Sequence, residues 1–303
     1  MSSRSDSHHG SGLRDSDGLP VRAGVAPGHP AVGRTLGGLR ASLGAVVLAP
    51  VYAMYTRRLR VLVRASQPPH HVAVILDGNR RWANLAGMRE PGAGHRRGAD
   101  KLSQLIGWCS GLGISELTVW ALSTENLSRA KDEVAALTEI LSEELGVLAE
   151  REATRGTPIR IRVFGRLDDL PTDLAETARR VQAETRDNDG MCLNVALGYS
   201  GRDELVDAMR GLVRSLAKQG VPNDELAEHV DADAIRRHLY TADHTDPDLI
   251  IRTSGEMRLS GFLPWQSSHS EFYFSDVYWP AFRELDFLRA VRTFQQRERR
   301  FGR

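Results

Sequence analysis

The chain has 303 residues, with 40 lysines and arginines against 39 aspartates and glutamates and a net charge of +1. That balance excludes a global electrostatic attraction to nucleic acid, while 41% hydrophobic residues are ample for the core of one large domain or two small ones. Cys109 and Cys192 are the only cysteines, which excludes a disulfide framework and points to a reducing cytoplasm. Nearly all the positive charge is arginine, since Lys101, Lys131 and Lys218 are the only lysines. Arginine suits a bidentate grip on phosphate, although a GC-rich genome produces the same bias.

Residues 1–49 read as a disordered N-terminal extension, rich in Gly, Ser, Arg, His and Pro and without periodicity. The apolar run Leu43–Tyr55 is interrupted by Pro50 and bracketed by Arg40 and Arg57. It falls short of the roughly 20 residues of a spanning helix, and no convincing cleavage site follows it. Val51, Tyr52, Tyr55, Leu59 and Leu62 recur at helical spacing, with Arg57, Arg58, Arg60 and Arg64 on the other side. Residues 50–65 therefore form an amphipathic helix, suited either to a membrane surface or to packing on the protein body.

After residue 70 the chain alternates strands and helices. Val72–Leu76, Glu116–Leu122, Ile159–Phe164, Cys192–Leu197, Leu249–Arg252 and Glu271–Phe274 are strand candidates. Helical stretches are Asn79–Ala86, Ala99–Ser110, Lys131–Arg151, Leu174–Arg186, Arg202–Lys218, Ala232–Leu239 and Leu285–Arg300. This alternation predicts a single α/β domain over residues 50–303, with a mainly parallel six-stranded sheet surrounded by helices. In such sheets ligands collect outside the carboxyl ends of the strands.

Polar residues just past those strand ends are the candidates for chemistry. The run Val72–Leu76 is unbroken and apolar, and it stops at Asp77, with Gly78 as a breaker before a helix start. Strand, acid, glycine and helix start suit an anion: exposed N–H groups face a phosphate, Arg80 and Arg81 add charge, and Asp77 can hold a divalent cation. Helix capping by Asp77 is an equal alternative on spacing alone. Other strand ends offer Ser123, Thr124, Glu125, Asn126 and Arg129, then Gly198, Tyr199, Gly201 and Arg202, then Arg252, Thr253, Ser254, Gly255, Glu256, Arg258 and Ser260. Glu271 opens the last strand. Arginines at three strand ends, with two acids to share a cation, fit a substrate bearing more than one phosphate.

Two patterns are decoys. Asp168–Asp173 superficially suggests an aspartate-rich diphosphate motif, but Pro171 interrupts it and it leads into a helix as a cap would. Gly92-Ala93-Gly94 is too short for a dinucleotide fingerprint, and no phosphate-binding loop with Lys-Ser/Thr is present.

The blocks His71-Val-Ala-Val-Ile-Leu-Asp-Gly-Asn-Arg-Arg-Trp-Ala83, Leu122–Asn126 with Arg129, Gly198–Arg202, Asp248–Glu256 and the tail Gly261–Gln266, Ser270-Glu271, Trp279-Pro280 and Arg297–Gly302 resemble, in the right order, the signatures of the cis-prenyltransferases, the undecaprenyl diphosphate synthase family. The resemblance covers about residues 50–303 and lies nearest the actinobacterial short-chain Z-farnesyl diphosphate synthases. It implies Mg²⁺-dependent cis-condensation of isopentenyl diphosphate with a short allylic diphosphate (geranyl or farnesyl), by a homodimer. Asp77 and Glu271 match metal-binding acids, and Asp77 and Asn126 the catalytic positions. Gly78, Asn79, Arg80, Arg81, Trp82, His95, Ser123 and Arg129 match the allylic diphosphate site. Arg252, Arg258 and Ser260 match the isopentenyl diphosphate site.

Departures from the family pattern are Arg80 and Ser200 where Gly is common, Pro264 where Leu is common, and His269 at an aromatic position. A longer loop before His95 leaves the role of Arg89 open. None removes a catalytic group, but they bear on product length. Trp120, Leu122 and Leu127 are bulky candidates for the wall of a product tunnel, and Ala121 leaves space. A long-chain polyprenyl diphosphate synthase and a catalytically inactive partner subunit are the alternatives, and location is cytoplasmic, with or without contact at the inner membrane face.

Overall fold

Residues 38–88, 90, 92–153 and 158–297 are described in the computed structural model. The expected disorder of residues 1–37, and the loop residues Arg89 and Pro91, lie outside them. The first helix, α1 (Gly38–Arg64), starts well before residue 50 and runs through Pro50. Proline removes one helical N–H bond and kinks a helix without having to end it, so the helix starts before the expected residue 50 although the compact unit begins there. From Pro50 onward the chain is one compact unit.

Within that unit the order is β1 (His71–Ile75), α2 (Asn79–Leu85), α3 (Ala93–Leu112), β2 (Glu116–Trp120), α4 (Lys131–Ala153), β3 (Arg160–Phe164), α5 (Thr172–Glu184), β4 (Cys192–Ala196), α6 (Gly201–Lys218), α7 (Ala232–Arg236), β5 (Leu249–Arg252), β6 (Glu271–Phe274) and α8 (Glu284–Gln296). The six strands form one sheet in the order β3-β4-β2-β1-β5-β6, and every pairing is parallel. The α/β expectation is met, with strand ends within one or two residues of those read from the sequence.

All five residues of β1 are buried because both faces of the sheet are covered. Val72 and Val74 join Leu117, Val119, Leu193 and Val195 in a core shared with Leu105 of α3, Leu137 of α4 and Leu288 of α8. Ala73 and Ile75 turn the other way, toward Ile250, Tyr199 and Phe262. Leu59 and Val63 of α1 are buried in the first core, so this part of the helix packs on the body. Around the rest of this segment Val51, Met54, Tyr55, Val61 and Leu62 are exposed.

On the second face a fully bonded polar set sits near the start of the strands. His71 donates from Nδ1 to the Thr245 carbonyl (2.8 Å), which leaves Nε2 to accept from the Thr118 hydroxyl (2.7 Å). Asn194 donates to both Glu116 (2.6 Å) and Thr118 (3.1 Å). Burial lowers the His71 pKa, consistent with a neutral ring in this set. Buried polar groups are tolerated when every member is satisfied.

Candidate active site

The carboxyl ends of β1, β2 and β5 open into a cavity of about 510 Å³. Two close approaches shape it. A Cβ on Gly94 would lie 2.3 Å from the Asn79 carbonyl oxygen, and one on Gly98 would lie 2.9 Å from Trp279 Cδ1. The missing side chains let the start of α3 press against α2, and Trp279 Nε1 donates to the Gly98 carbonyl at 2.8 Å. His95 is carried on that first turn.

Asp77 leaves β1 under tight control. Its amide donates to Thr253 Oγ1 (3.0 Å), and the Thr253 hydroxyl donates to the Asp77 carbonyl (2.7 Å), joining the ends of β1 and β5. Asp77 Oδ2 accepts from Arg252 Nη2 (2.9 Å) and Oδ1 from Arg81 Nη2 (3.2 Å). Burial alone would raise the Asp77 pKa, but hydrogen bonds from Arg252 and Ser254 and the charges of Arg252 and Arg81 hold it below the usual carboxylate range. Asp77 is therefore an anion in the cavity and caps no helix: Gly78, at φ 103°, holds the N-cap position of α2, with no side-chain cap bond.

Arg81 also donates to Ser254 Oγ (2.8 Å) and Glu256 Oε1 (3.0 Å). Arg252, only 5% exposed, donates from Nη1 to Ser260 Oγ (2.9 Å) and to the Arg258 carbonyl. Ser254 (φ 81°) and Ser260 (φ 51°) both occupy left-handed backbone. For non-glycine residues such strain persists where surrounding contacts fix it, and it clusters at functional sites.

Across the cavity, Glu133 in the first turn of α4 holds two arginines, Arg129 Nη1 at 2.8 Å and Arg80 Nη1 at 3.3 Å. Burial, reinforced by the charge of Arg129, pushes the His95 pKa down to about 4, so its ring is neutral at pH 7. Ser123 and Asn126 form a reciprocal capping box: Asn126 N donates to Ser123 Oγ (3.2 Å) and Ser123 N to Asn126 Oδ1 (3.1 Å). Asn126 also lines the cavity, and its Nδ2 takes no part in the box. Asn79 Oδ1, His95 Nε2 and Arg252 Nε are buried without a protein partner, which equips this pocket for a polar ligand.

Asp77, Gly78, Asn79, Arg80, Arg81, His95, Ser123, Asn126, Arg129, Arg252 and Arg258 all line the cavity. Trp82 and Ser260 do not; Ser260 acts from behind, through Arg252. Glu271 stands apart from the cavity in this chain. Ile75 stands level with Arg252 and Arg252 with Phe274, so Glu271 lies three residues, about 10 Å, below the carboxyl end of the sheet. It pairs with Arg297. Within one chain it cannot share a cation with Asp77, because a parallel strand that begins with an acid places that acid at the opposite edge.

The expected tunnel wall also changes. Trp120 and Ala121 line the cavity, but Leu122 is buried in the main core and Leu127 packs on it. The apolar wall comes instead from Leu102 of α3 and from Leu137, Ile140, Leu141, Leu145 and Leu148 of α4. Sequence reasoning missed these and Glu133, although the i, i+3, i+4 recurrence of the α4 residues was a signal. It named Glu256 only as a strand-end residue. The decoy Asp168 pairs with Arg179 at 2.5 Å, as a surface turn would.

Among the described residues no three acids, histidines or cysteines converge as a metal cage. A magnesium site needs no cage: Mg²⁺ is commonly held by one or two carboxylates together with substrate phosphates. Asp77, ionised and lining the cavity beside five arginines (Arg80, Arg81, Arg129, Arg252 and Arg258), fits that mode.

Comparison with known proteins agrees with this geometry. Residues 75–302 match the prenyltransferase family described as undecaprenyl diphosphate synthase. The chain is 49% identical over 253 residues to a (2Z,6E)-farnesyl diphosphate synthase of Thermobifida fusca, covering 84% of this chain and 97% of that one. It is 46% identical over 258 residues to a tritrans,polycis-undecaprenyl-diphosphate synthase (geranylgeranyl-diphosphate specific) of Methanopyrus kandleri, covering 85% and 93%. Among solved structures, lavandulyl diphosphate synthase from Lavandula x intermedia, in complex with dimethylallyl diphosphate, superposes with a TM-score of 0.73 at 34% identity, covering 78% of this chain and 99% of that one.

Proposed function

Since the chain belongs to the undecaprenyl diphosphate synthase family of cis-prenyltransferases, we propose that it condenses isopentenyl diphosphate in cis with a short allylic diphosphate, geranyl or farnesyl, to give a short Z-prenyl diphosphate of the Z,E-farnesyl type. One observation carries the reading: a single cavity has a head with five arginines and the acids Asp77 and Glu256, and a tail walled mainly by leucines and isoleucine. That division matches an amphiphile with a diphosphate at one end and a hydrocarbon at the other.

In this reading the α2 start (Gly78–Arg81), His95 and Arg129 hold the allylic diphosphate, and Arg252 and Arg258 hold isopentenyl diphosphate, with Ser260 fixing Arg252. Asp77 holds Mg²⁺, which when bound offsets negative charge building on the departing diphosphate. Arg80, Arg81 and Arg129 do the same from fixed positions without reorganising. The neutral His95 offers its free nitrogen without competing for a proton at pH 7. Asn126, held by its capping box, orients the reacting alkene end. A cavity of about 510 Å³ lies within the range of pockets for drug-sized ligands, which favours a product near C15 over one near C50.

The enzyme acts as a homodimer, for which the edge strand β6 with half-buried Phe272 and Phe274 offers a surface. Both cysteines are free, which supports a cytoplasmic setting. Among the described residues no helix is long and apolar enough to cross a membrane; the exposed apolar side of α1 beside Arg57 and Arg58 supports peripheral contact.

Incubation with labelled isopentenyl diphosphate, Mg²⁺ and geranyl or farnesyl diphosphate, followed by sizing of the products, tests the reading. Products near C15 support it. Products near C50 would convert it to the long-chain alternative, and no turnover with either primer would leave an inactive partner subunit.

A further inference from the structure

The cavity has two chemically different halves, and α4 runs along both. Glu133, in the first turn of that helix, holds Arg80 and Arg129 at the polar head. Further along, Leu137, Ile140, Leu141, Leu145 and Leu148 line the tail. One residue of that stretch breaks the pattern: Glu144 lines the same wall. On α3, Ser103 is the polar residue lining the tail beyond Leu102. A carboxylate in an apolar groove is unfavourable unless paired or watered; among the described residues no ion pair to Glu144 is formed, its neighbour Glu143 bonds Arg96 at 3.4 Å, and Glu144 feels the charges of Arg151 and Arg96 only at longer range.

The position of Glu144 sets a length. It lies eleven residues beyond Glu133, about 16 Å at the helical rise of 1.5 Å per residue. An extended isoprenoid repeat of four main-chain carbons spans at most about 5 Å at bond lengths near 1.5 Å. Three repeats fit between the diphosphate head and Glu144. A fourth would lay methyl groups against the carboxylate and strip its water.

We propose that Glu144 is a specificity-determining residue that stops chain growth at about three isoprene units, with Ser103 extending the polar band on the facing helix. This rests on the short-chain reading above and names the side chain responsible for it. Burial, and then the like charge of Asp100, raise the Glu144 pKa, as expected of an acid pressed against apolar surroundings. Protonated or not, the group remains polar, and it opposes an alkyl chain in either form. The leucines around it do not.

The test uses the full chain with Mg²⁺, isopentenyl diphosphate and geranyl diphosphate, and reads the product-length distribution. The parent gives mainly C15. Glu144→Leu raises the fraction of C20 and longer products about tenfold, the scale on which a pocket rejects an unsatisfied polar contact. Glu144→Ala, which adds no bulk, shifts the distribution the same way and serves if the leucine variant folds poorly. Glu139→Leu, on the exposed side of the same helix, leaves it unchanged. If the parent makes C15 and both Glu144 variants do as well, the proposal is overturned while the short-chain reading stands. Lengthening by Glu139→Leu to the same extent also overturns it, since any change to α4 would then suffice. A parent that runs to about C50 overturns both the stop and the short-chain reading.

Discussion

Arg252 Nη2 lies 2.9 Å from Asp77 Oδ2, so the last residue of β5 is ion-paired to the acid that follows β1. The Arg252 side chain is only 6% exposed and that of Asp77 28%, which makes the two unequal partners. Removing the acid strands a buried guanidinium; removing the arginine leaves an acid that still reaches solvent and Arg81.

Asp77→Ala should therefore lower kcat by at least about 100-fold, the usual loss when one preorganised charge at the reacting centre is removed. It should also reduce stability by about 1–3 kcal/mol through the unpaired Arg252. Steady-state rates at saturating Mg²⁺, together with urea unfolding, separate the two effects. Turnover within a few-fold of the parent would remove Asp77 from the metal site.

Arg252→Lys keeps the charge but loses the planar fork that bonds Asp77, Ser260 and the Arg258 carbonyl together. The expected result is a rise of about tenfold or more in KM for isopentenyl diphosphate, with KM for the allylic substrate changed much less. Equal changes in both constants would argue against separate subsites.

His95 predicts a pH dependence of stability. Its folded pKa is pushed down to about 4 from an ordinary 6.5, so the unfolded chain binds a proton at a pH where the folded chain does not. Stability contributed by the neutral ring is thus present above about pH 6.5 and falls as pH drops toward 4, where the loss levels off. His244, also lowered to about 4 by burial, acts in the same window. Asp77, depressed below its usual value, loses its contribution only as pH falls below the ordinary carboxylate range. His95→Gln should flatten the slope between pH 4 and 6.5, measured by denaturant unfolding across that range, without abolishing it. An unchanged slope would mean that His95 takes up its proton as readily in the folded chain as in the unfolded one.

Gly94→Ala places a methyl group 2.3 Å from the Asn79 carbonyl oxygen, and backbone has little room to give. Overpacking of this kind costs about 1–3 kcal/mol. Because the displaced element carries His95, KM for the allylic diphosphate should rise along with the fall in Tm. A full-activity, full-stability variant would show that α3 is not held against α2 in solution.

The strand ends and the helix starts were readable because apolar runs, breakers and arginines are local signals. Asp77 and Arg81 stand out as polar residues soon after a buried strand, Arg252 as the polar end of another and Arg129 in the segment that follows a third, and parallel topology places all strand ends on one edge. Glu271 is less legible: its residue type is informative, but its level in the sheet depends on pairing register. Leu122 and Leu127 are bulky near the site in sequence, yet strand alternation and the 3-10 turn Thr124–Ser128 direct them to the core.

By itself, the sequence determined the α/β class, the strand positions and the polar head of the cavity, since each follows from burial periodicity or from residues adjacent to a strand end. Only the tertiary structure decided that Asp77 is shared by arginines from β5 and α2 rather than capping a helix. It also decided that α4 builds the tail, with Glu133 at its polar end and Glu144 among its leucines. Those facts depend on which surface of a distant helix docks beside the sheet, and docking is settled by the packing of many side chains at once rather than by any local pattern.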